Sequence, residues 1–284
     1  MKKIVLVLFM LVVCGFVSAD DYSCSSHDSA LVVKLLKKAK NQPSNTNYMI
    51  FFARQLIGFP YVAHTLDISK RERLIINLHQ LDCYTYVEAV SAFSICAKNH
   101  KYDFQSYVNT VKKLRYRGGK IEDYSSRLHY FTDWIIDNTL KGEVHEIQSP
   151  DPPFMATQII NVGFMSDNYQ KYSMLKANPR LVPKIKIVEH SLNGRRYKYI
   201  PKYMVRNNII MRKAVKDGDI IAIITNKKGL DTSHVGIAVW HNDGLHLLNA
   251  SQLHHRVVEE DMTFANYLSQ HPVQTGIRVI RLVK

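Results

Sequence analysis

The chain has 284 residues, 46% of them apolar, and a formal charge of +14. That composition excludes a disordered polymer, and the length allows one large packed core or two modest ones. The positive charge comes without zinc-finger spacing, an RNA-binding signature or a basic coiled-coil region, so nucleic acid is not the expected partner. It is scattered over residues 34–40, 112–117 and 195–202. Each cluster reads as a solvated face, and the whole suits an anionic partner.

Met1-Lys2-Lys3 makes a basic start, and residues 4–13 an apolar run too short to span a bilayer. Val17-Ser18-Ala19 then offers small residues at a cleavage site. Together they predict a bacterial secretory signal peptide over residues 1–19, cut before Asp20, and an exported protein, periplasmic or secreted. Cys14 raises a lipoprotein alternative, but Val12 and Val13 are bulky where a lipobox wants small residues. Losing Lys2 and Lys3 with the leader lowers the formal charge from +14 to +12. No later run approaches about 18 apolar residues, so no stable membrane insertion is expected after cleavage. Cys24, Cys83 and Cys96 remain, an odd number that leaves at least one free thiol in an oxidising compartment. A Cys24–Cys96 bridge is the one pairing that spares Cys83; a buried, inert Cys96 is the commoner outcome.

Residues 29–40 and 47–56 carry apolar side chains at helical spacing. Gly58-Phe-Pro-Tyr61 breaks the second of these helices, and residues 74–78 read as extended. A long helix begins at Cys83, with Tyr86, Val90, Phe93 and Ala97 on one stripe. Further helices are expected over 104–114 and 128–138. Pro150, Pro152 and Pro153 mark a turn-rich link, and two helices are expected within 165–188. From Val215 the rhythm changes to short β-branched runs: a strand ending at Ile224, then 234–240, 245–250, 256–258 and 277–283. Asp243-Gly244 between two of these runs is a hairpin signal. Helices followed by strands, without βαβ alternation, predict an α+β fold with an antiparallel sheet.

Two features carry chemistry. Cys83 opens its helix directly after Asp82, which fits an N-cap. The first turn of a helix presents unpaired N–H groups and the positive end of the dipole, which favour the thiolate nucleophile. His234 lies on the strand Asp231-Thr-Ser-His-Val-Gly-Ile-Ala-Val-Trp240, where alternation puts His234, Gly236, Ala238 and Trp240 on one face. Small residues there would let a helix approach that face. Asn249 on the partner strand reaches His234 if the hairpin register allows, and its amide oxygen could then hold the imidazole. His241, His246, His254 and His255 also gather near the hairpin, but their spacing fits no zinc signature, and no metal is expected.

Gly58-Phe-Pro-Tyr61-Val62, Leu81-Asp-Cys83, Asp217-Gly-Asp219-Ile220, His234-Val-Gly-Ile-Ala238 and Leu248-Asn-Ala-Ser251, in that order, resemble the NlpC/p60 superfamily of papain-like cell-wall hydrolases. Leu81-Asp-Cys-Tyr-Thr-Tyr-Val-Glu88 and the stretch from Tyr116-Arg-Gly-Gly through Tyr124-Ser-Ser-Arg-Leu-His-Tyr130 to Asp133-Trp-Ile-Ile-Asp-Asn138 resemble a branch of N-acetylmuramoyl-L-alanine amidases. A lone cysteine at a helix start is usually structural; five motifs in order reverse that reading. The resemblance implies one domain over 20–284, with N-terminal helices packed on an antiparallel sheet and a helical insertion around 100–200. It implies Cys83 as nucleophile, His234 as general base and acid, and Asn249 as the orienting residue. Tyr61 would assist at the oxyanion or simply pack beside Pro60, while Ser126 and Arg127 in the branch-specific loop would bind substrate, the arginine either clamping a stem-peptide carboxylate or standing as an exposed or ion-paired structural residue. No cofactor is implied. The implied partner is a peptidoglycan fragment, cut between N-acetylmuramic acid and L-alanine. Alternatives are a γ-D-glutamyl-diamino-acid endopeptidase, an inactive cell-wall binding module, and an acyltransferase using the same thiol.

Overall fold

Local capping sets the helices before packing does. The computed structural model describes residues 22–283; the leader expected at 1–19 lies outside them. A short strand β1 (Tyr22–Cys24) precedes α1 (Ser26–Lys40), whose N-cap Ser25 accepts from the Asp28 backbone N–H. Asn47 caps α2 (Tyr48–Gln55) in the same way, and β2 (Leu74–Ile76) pairs with β1 in parallel. Next come α3 (Cys83–Lys98), α4 (Phe104–Arg115) and α5 (Phe131–Leu140). The strands β3 (Val144–Glu146) and β4 (Ala156–Ile159) lead to three short helices: α6 (Phe164–Asp167), α7 (Ser173–Ala177) and α8 (Val182–Leu192). Then follow β5 (Arg196–Pro201), α9 (Ile209–Ala214), β6 (Ile220–Thr225), β7 (Thr232–Trp240), β8 (Leu245–Ser251) and β9 (Arg256–Glu259). The described chain closes with α10 (Phe264–Ser269) and β10 (Gln274–Leu282).

The result is a mixed α/β fold with ten α-helices among the described residues. Its main sheet runs β4-β5-β10-β6-β7-β8-β9, with β3 also on β10, and every pairing in it is antiparallel. Both faces are covered, which is why the β6 run Ile-Ile-Ala-Ile-Ile-Thr is buried throughout rather than alternating. One face (Ala222, Val235, Ile237, Leu248) packs on Tyr86, Val90 and Phe93 of α3. The other (Ile221, Ile223, Ala238, Leu247) packs on Met211, Phe264 and Leu268 of α9 and α10. The inserted helices have their own cluster, in which Met165, Leu175 and Ile185 meet Tyr124 and Tyr130.

Three expectations need correction. The helix expected over 128–138 begins at Phe131, because Leu128 donates its N–H to Arg115 O at 2.9 Å and Arg127 bridges to Tyr116, which keeps that stretch extended. The region expected to hold two helices holds three, and β4 and β5 flank them as an unforeseen antiparallel pair whose outer strand is half exposed. Finally, α3 lies on the Val235/Ile237 face of β7, not beside Gly236. A Cβ on Gly236 would sit 2.7 Å from Leu247 Cδ1 and 2.9 Å from Leu248 O, so the missing side chain makes room for the neighbouring strand.

Candidate active site

Asp82 accepts from the Thr85 N–H at 2.8 Å, and Thr85 Oγ1 accepts from the Asp82 N–H at 2.9 Å, a reciprocal capping box. Cys83 is therefore fixed as the first residue of a buried helix. Gly58-Phe-Pro-Tyr61 is drawn beside it by main-chain bonds from Leu81 N–H to Pro60 O (3.0 Å) and from Val62 N–H to Leu81 O (3.1 Å). Glu88, one helical turn and more into α3, is buried against Arg115 of α4 at 2.7 Å, and Arg115 also donates to Ile75 O at 2.6 Å. This anchors the helix from behind.

The start of α3 meets the start of β7 in a cleft of about 230 Å³. Cys83 and Tyr84 line it from the helix, and residues from Leu230 to Val235, His234 among them, line it from the strand. His129, Tyr130 and Phe131 form a second wall, and Met165 and Tyr172 reach in from the inserted helices. The structure thus brings together the two residues singled out from widely separated parts of the chain.

The hairpin register places the third. Ile237 pairs with Leu248 and Trp240 with Leu245 across the turn. That pairing brings His234 Nε2 to 2.9 Å from Asn249 Oδ1. An amide oxygen only accepts, so Nε2 carries the proton and Nδ1 is left with the lone pair. The amide's orientation is fixed in turn, since Asn249 Nδ2 donates to Glu260 Oε1 at 2.9 Å.

Electrostatics act on both groups. Burial pushes the Cys83 thiol up to about 12, with Asp82 adding to the rise, although the N–H groups of Val235, Tyr84 and Cys83 itself pull the other way. Burial also lowers the proton affinity of His234, against the opposing effects of the Asn249 bond and Glu260. Both shifts run against the helix end, which by itself favours the ionised sulfur. Tyr61 is pushed up to about 12 by burial and by the neighbouring Cys83 and Asp82, so its hydroxyl stays a donor.

Ser126 and Arg127 lie behind the cleft wall, not among its lining residues. Ser126 Oγ donates to Asp123 O at 2.6 Å and accepts from the Glu122 N–H, closing a tight turn. Arg127 is 7% exposed. Its Nε and Nη2 reach Glu72 at 3.1 and 2.7 Å, and Nη2 also reaches Asp67 at 2.9 Å. This loop sends His129 and Tyr130 to the cleft, and His129 Nε2 donates to Tyr124 O at 2.7 Å. Burial, with Arg127 behind it, drops His129 to about 3. Sequence reasoning passed over His129, Tyr172, Asp231 and Glu260. Asp231 could have been noticed, three residues ahead of His234; its carboxylate accepts from Thr132 N–H at 2.6 Å and Thr232 N–H at 2.8 Å, tying α5 to β7.

Cys24, Cys83 and Cys96 are all free thiols, and Cys96 is buried beside Thr110 Oγ1 at 3.4 Å. Among the described residues, His241, Asp243 and His246 stand close enough together to consider an ion. The two rings stack 4.2 Å apart at 21°. His241 Nε2 already faces Glu259 at 2.7 Å and His246 Nδ1 donates to Glu260 O at 2.8 Å.

A thiol at a helix start and an imidazole held by an amide thus share one cleft on a mixed α/β fold. Residues 51–277 match the AmiA-like family, described as N-acetylmuramoyl-L-alanine amidase-like, and the chain belongs to that family of amidase-like peptidoglycan hydrolases. An N-acetylmuramoyl-L-alanine amidase from Bacteroides uniformis ATCC 8492 superposes with a TM-score of 0.78 at 36% identity, over 83% of this chain and 97% of its own. A Bacteroides fragilis protein named as a candidate xylanase superposes with a TM-score of 0.75 at 34% identity, over 81% and 98%. A Legionella pneumophila str. Philadelphia 1 protein shares the fold at 20% identity, with a TM-score of 0.71 over 91% and 95%. None of the curated proteins matches the chain. No helix of the described residues is long and apolar enough to cross a membrane.

Proposed function

We propose that this protein is an exported, papain-like hydrolase of the NlpC/p60 type that cuts the amide between N-acetylmuramic acid and L-alanine in peptidoglycan fragments. The observation that carries the reading is the shared cleft of Cys83 and His234, with His234 Nε2 held by Asn249 at 2.9 Å.

A thiol whose proton burial retains needs a base as it attacks. His234 Nδ1 takes the Cys83 proton as the sulfur attacks the lactyl carbonyl carbon. The oxyanion forms beside the Cys83 N–H and the Tyr61 hydroxyl. Collapse breaks the C–N bond; the leaving L-alanine nitrogen takes the proton from His234, and a thioester remains on Cys83. Water, losing a proton to Nδ1, attacks the thioester, releases the lactyl carboxylate and restores the thiol. Asn249 keeps Nδ1 aimed at the sulfur throughout. Arg127 and Ser126 act by holding the loop that brings His129 and Tyr130 to the cleft, and the insertion supplies Met165 and Tyr172 as the far wall.

The xylanase name borne by one relative suits this cleft poorly. Glycoside hydrolysis needs two carboxyl groups flanking the bond. Among the described lining residues the cleft has one, Asp231, and both its oxygens are engaged by backbone N–H groups.

The test is mass analysis of the products from a muramyl tetrapeptide, with and without Cys83→Ala. Free sugar and intact tetrapeptide are expected, with loss of turnover in the variant. Cleavage after D-glutamate would make the protein an endopeptidase instead. Undiminished turnover without the sulfur would end the cysteine mechanism.

A further inference from the structure

Behind Asn249 stands a carboxylate that no step above uses. Glu260 follows β9 directly and is 4% exposed. Oε1 accepts from Asn249 Nδ2 at 2.9 Å, and Oε2 lies 3.2 Å from His254 Nε2. The main chain at Glu260 is pinned on both sides: its N–H donates to Leu247 O at 2.9 Å, and its C=O accepts from His246 Nδ1 at 2.8 Å. The carboxylate is therefore placed by the sheet, not by solvent. An ionised carboxylate only accepts, so Asn249 must turn its NH₂ toward Glu260 and its oxygen toward His234. Without that constraint an amide can flip and present donors to Nε2, which would select the wrong tautomer of the ring.

The charge itself acts at longer range. The ionisable groups around this centre are His254 in the turn after β8, His246 on β8 with Asp243 beside it, Tyr267 on α10 and His271 just after it, His234 on β7, and Asp82 and Cys83 at the start of α3. Of these, Glu260 and Asp82 favour a proton on His234, and His271 opposes one. His254, half exposed, shares the second oxygen of Glu260 and tempers its field.

We propose that Glu260 is a positioning residue for the thiol chemistry: it locks the Asn249 amide in the orientation that holds His234 Nε2–H, and its charge stabilises the imidazolium formed when His234 takes the Cys83 proton. This rests on the assignment of Cys83, His234 and Asn249 given above.

The experiment follows Cys83 alkylation by iodoacetamide from pH 4 to pH 9, which needs no substrate and so does not depend on which bond the enzyme cuts. Glu260→Gln keeps the size and an oxygen acceptor for Asn249 while removing the charge. Alkylation is expected to slow about tenfold near neutrality, and the acid limb to move down by about 0.5 to 1 pH unit, because an imidazolium without its carboxylate loses its proton more readily. His254→Ala, a change at a half-exposed ring, leaves the Glu260 charge less shielded and moves the limb up. That opposite sign keeps the test open should the first variant fail to fold. An acid limb unmoved in both, or moved the same way in both, overturns the inference. Muropeptides left uncut by an unmodified protein whose Cys83 shows these shifts would instead remove the amidase reading and leave this one standing.

Discussion

Truncating Asn249 to alanine separates the ordering of the imidazole from its mere presence. The side chain is 1% exposed and makes two hydrogen bonds, accepting from His234 Nε2 and donating to Glu260 Oε1, each at 2.9 Å. Hydrogen bonds to a charged partner are worth about 1.5 to 3 kcal/mol. The His234 bond has a charged partner only while the ring is imidazolium, that is, during proton transfer from Cys83. Its loss therefore falls on the transition state and predicts a drop in kcat of about 10- to 150-fold. The Glu260 bond is present in the ground state, and with the small void left behind its loss should cost about 2 to 4 kcal/mol of stability. Turnover would be followed by quantifying the released L-alanyl peptide across substrate concentrations, and stability by urea denaturation. An interaction made only in the transition state lowers kcat and kcat/KM together. A folded Asn249→Ala protein that keeps kcat within about threefold, or that loses rate wholly through KM, would refute the orienting role.

Arg127→Ala should destabilise the fold by about 3 to 5 kcal/mol, because it strands the carboxylates of Glu72 and Asp67, which the guanidinium now bridges out of solvent; denaturant midpoints check this, and an unchanged midpoint with a large rise in KM would return the residue to substrate binding. The imidazole of His129 takes a proton only near pH 3 when folded, against 6.5 for its ordinary value. The unfolded chain therefore binds the extra proton between these limits, and stability should fall as pH drops through that window, by up to about 1.4 kcal/mol per pH unit. His129→Gln should flatten the slope of urea midpoint against pH, and an identical slope would show that other groups set it. Gly236→Ala drives a methyl into Leu247 and the Leu248 carbonyl, so a loss of about 1 to 3 kcal/mol is expected in thermal or urea unfolding, whereas a neutral result would mean the hairpin yields freely.

The parts of the site that the sequence made legible are those decided within a few residues. Asp82 and Thr85 close their box inside one helical turn, so Cys83 could be placed at a helix start from four letters. The hairpin at Asn242-Asp243-Gly244 sets its own register, so the approach of Asn249 to His234 needed only the turn and the two-residue period of the strands. Tertiary packing decided the rest. The outer strands β4 and β5 have weak patterns of their own and exist through pairing with each other and with β10, some 75 residues further on. The partners of Arg127 lie 55 and 60 residues upstream, so no local reading could show that its guanidinium was already engaged. The surroundings of the thiol divide in the same way: a helix end is visible in the sequence, but the desolvation that opposes it comes from β7 and the loop walls beside the sulfur. Backbone hydrogen bonding and side-chain periodicity are written along the chain; burial is a property of surfaces brought together from far apart, and only the folded molecule fixes which ones meet.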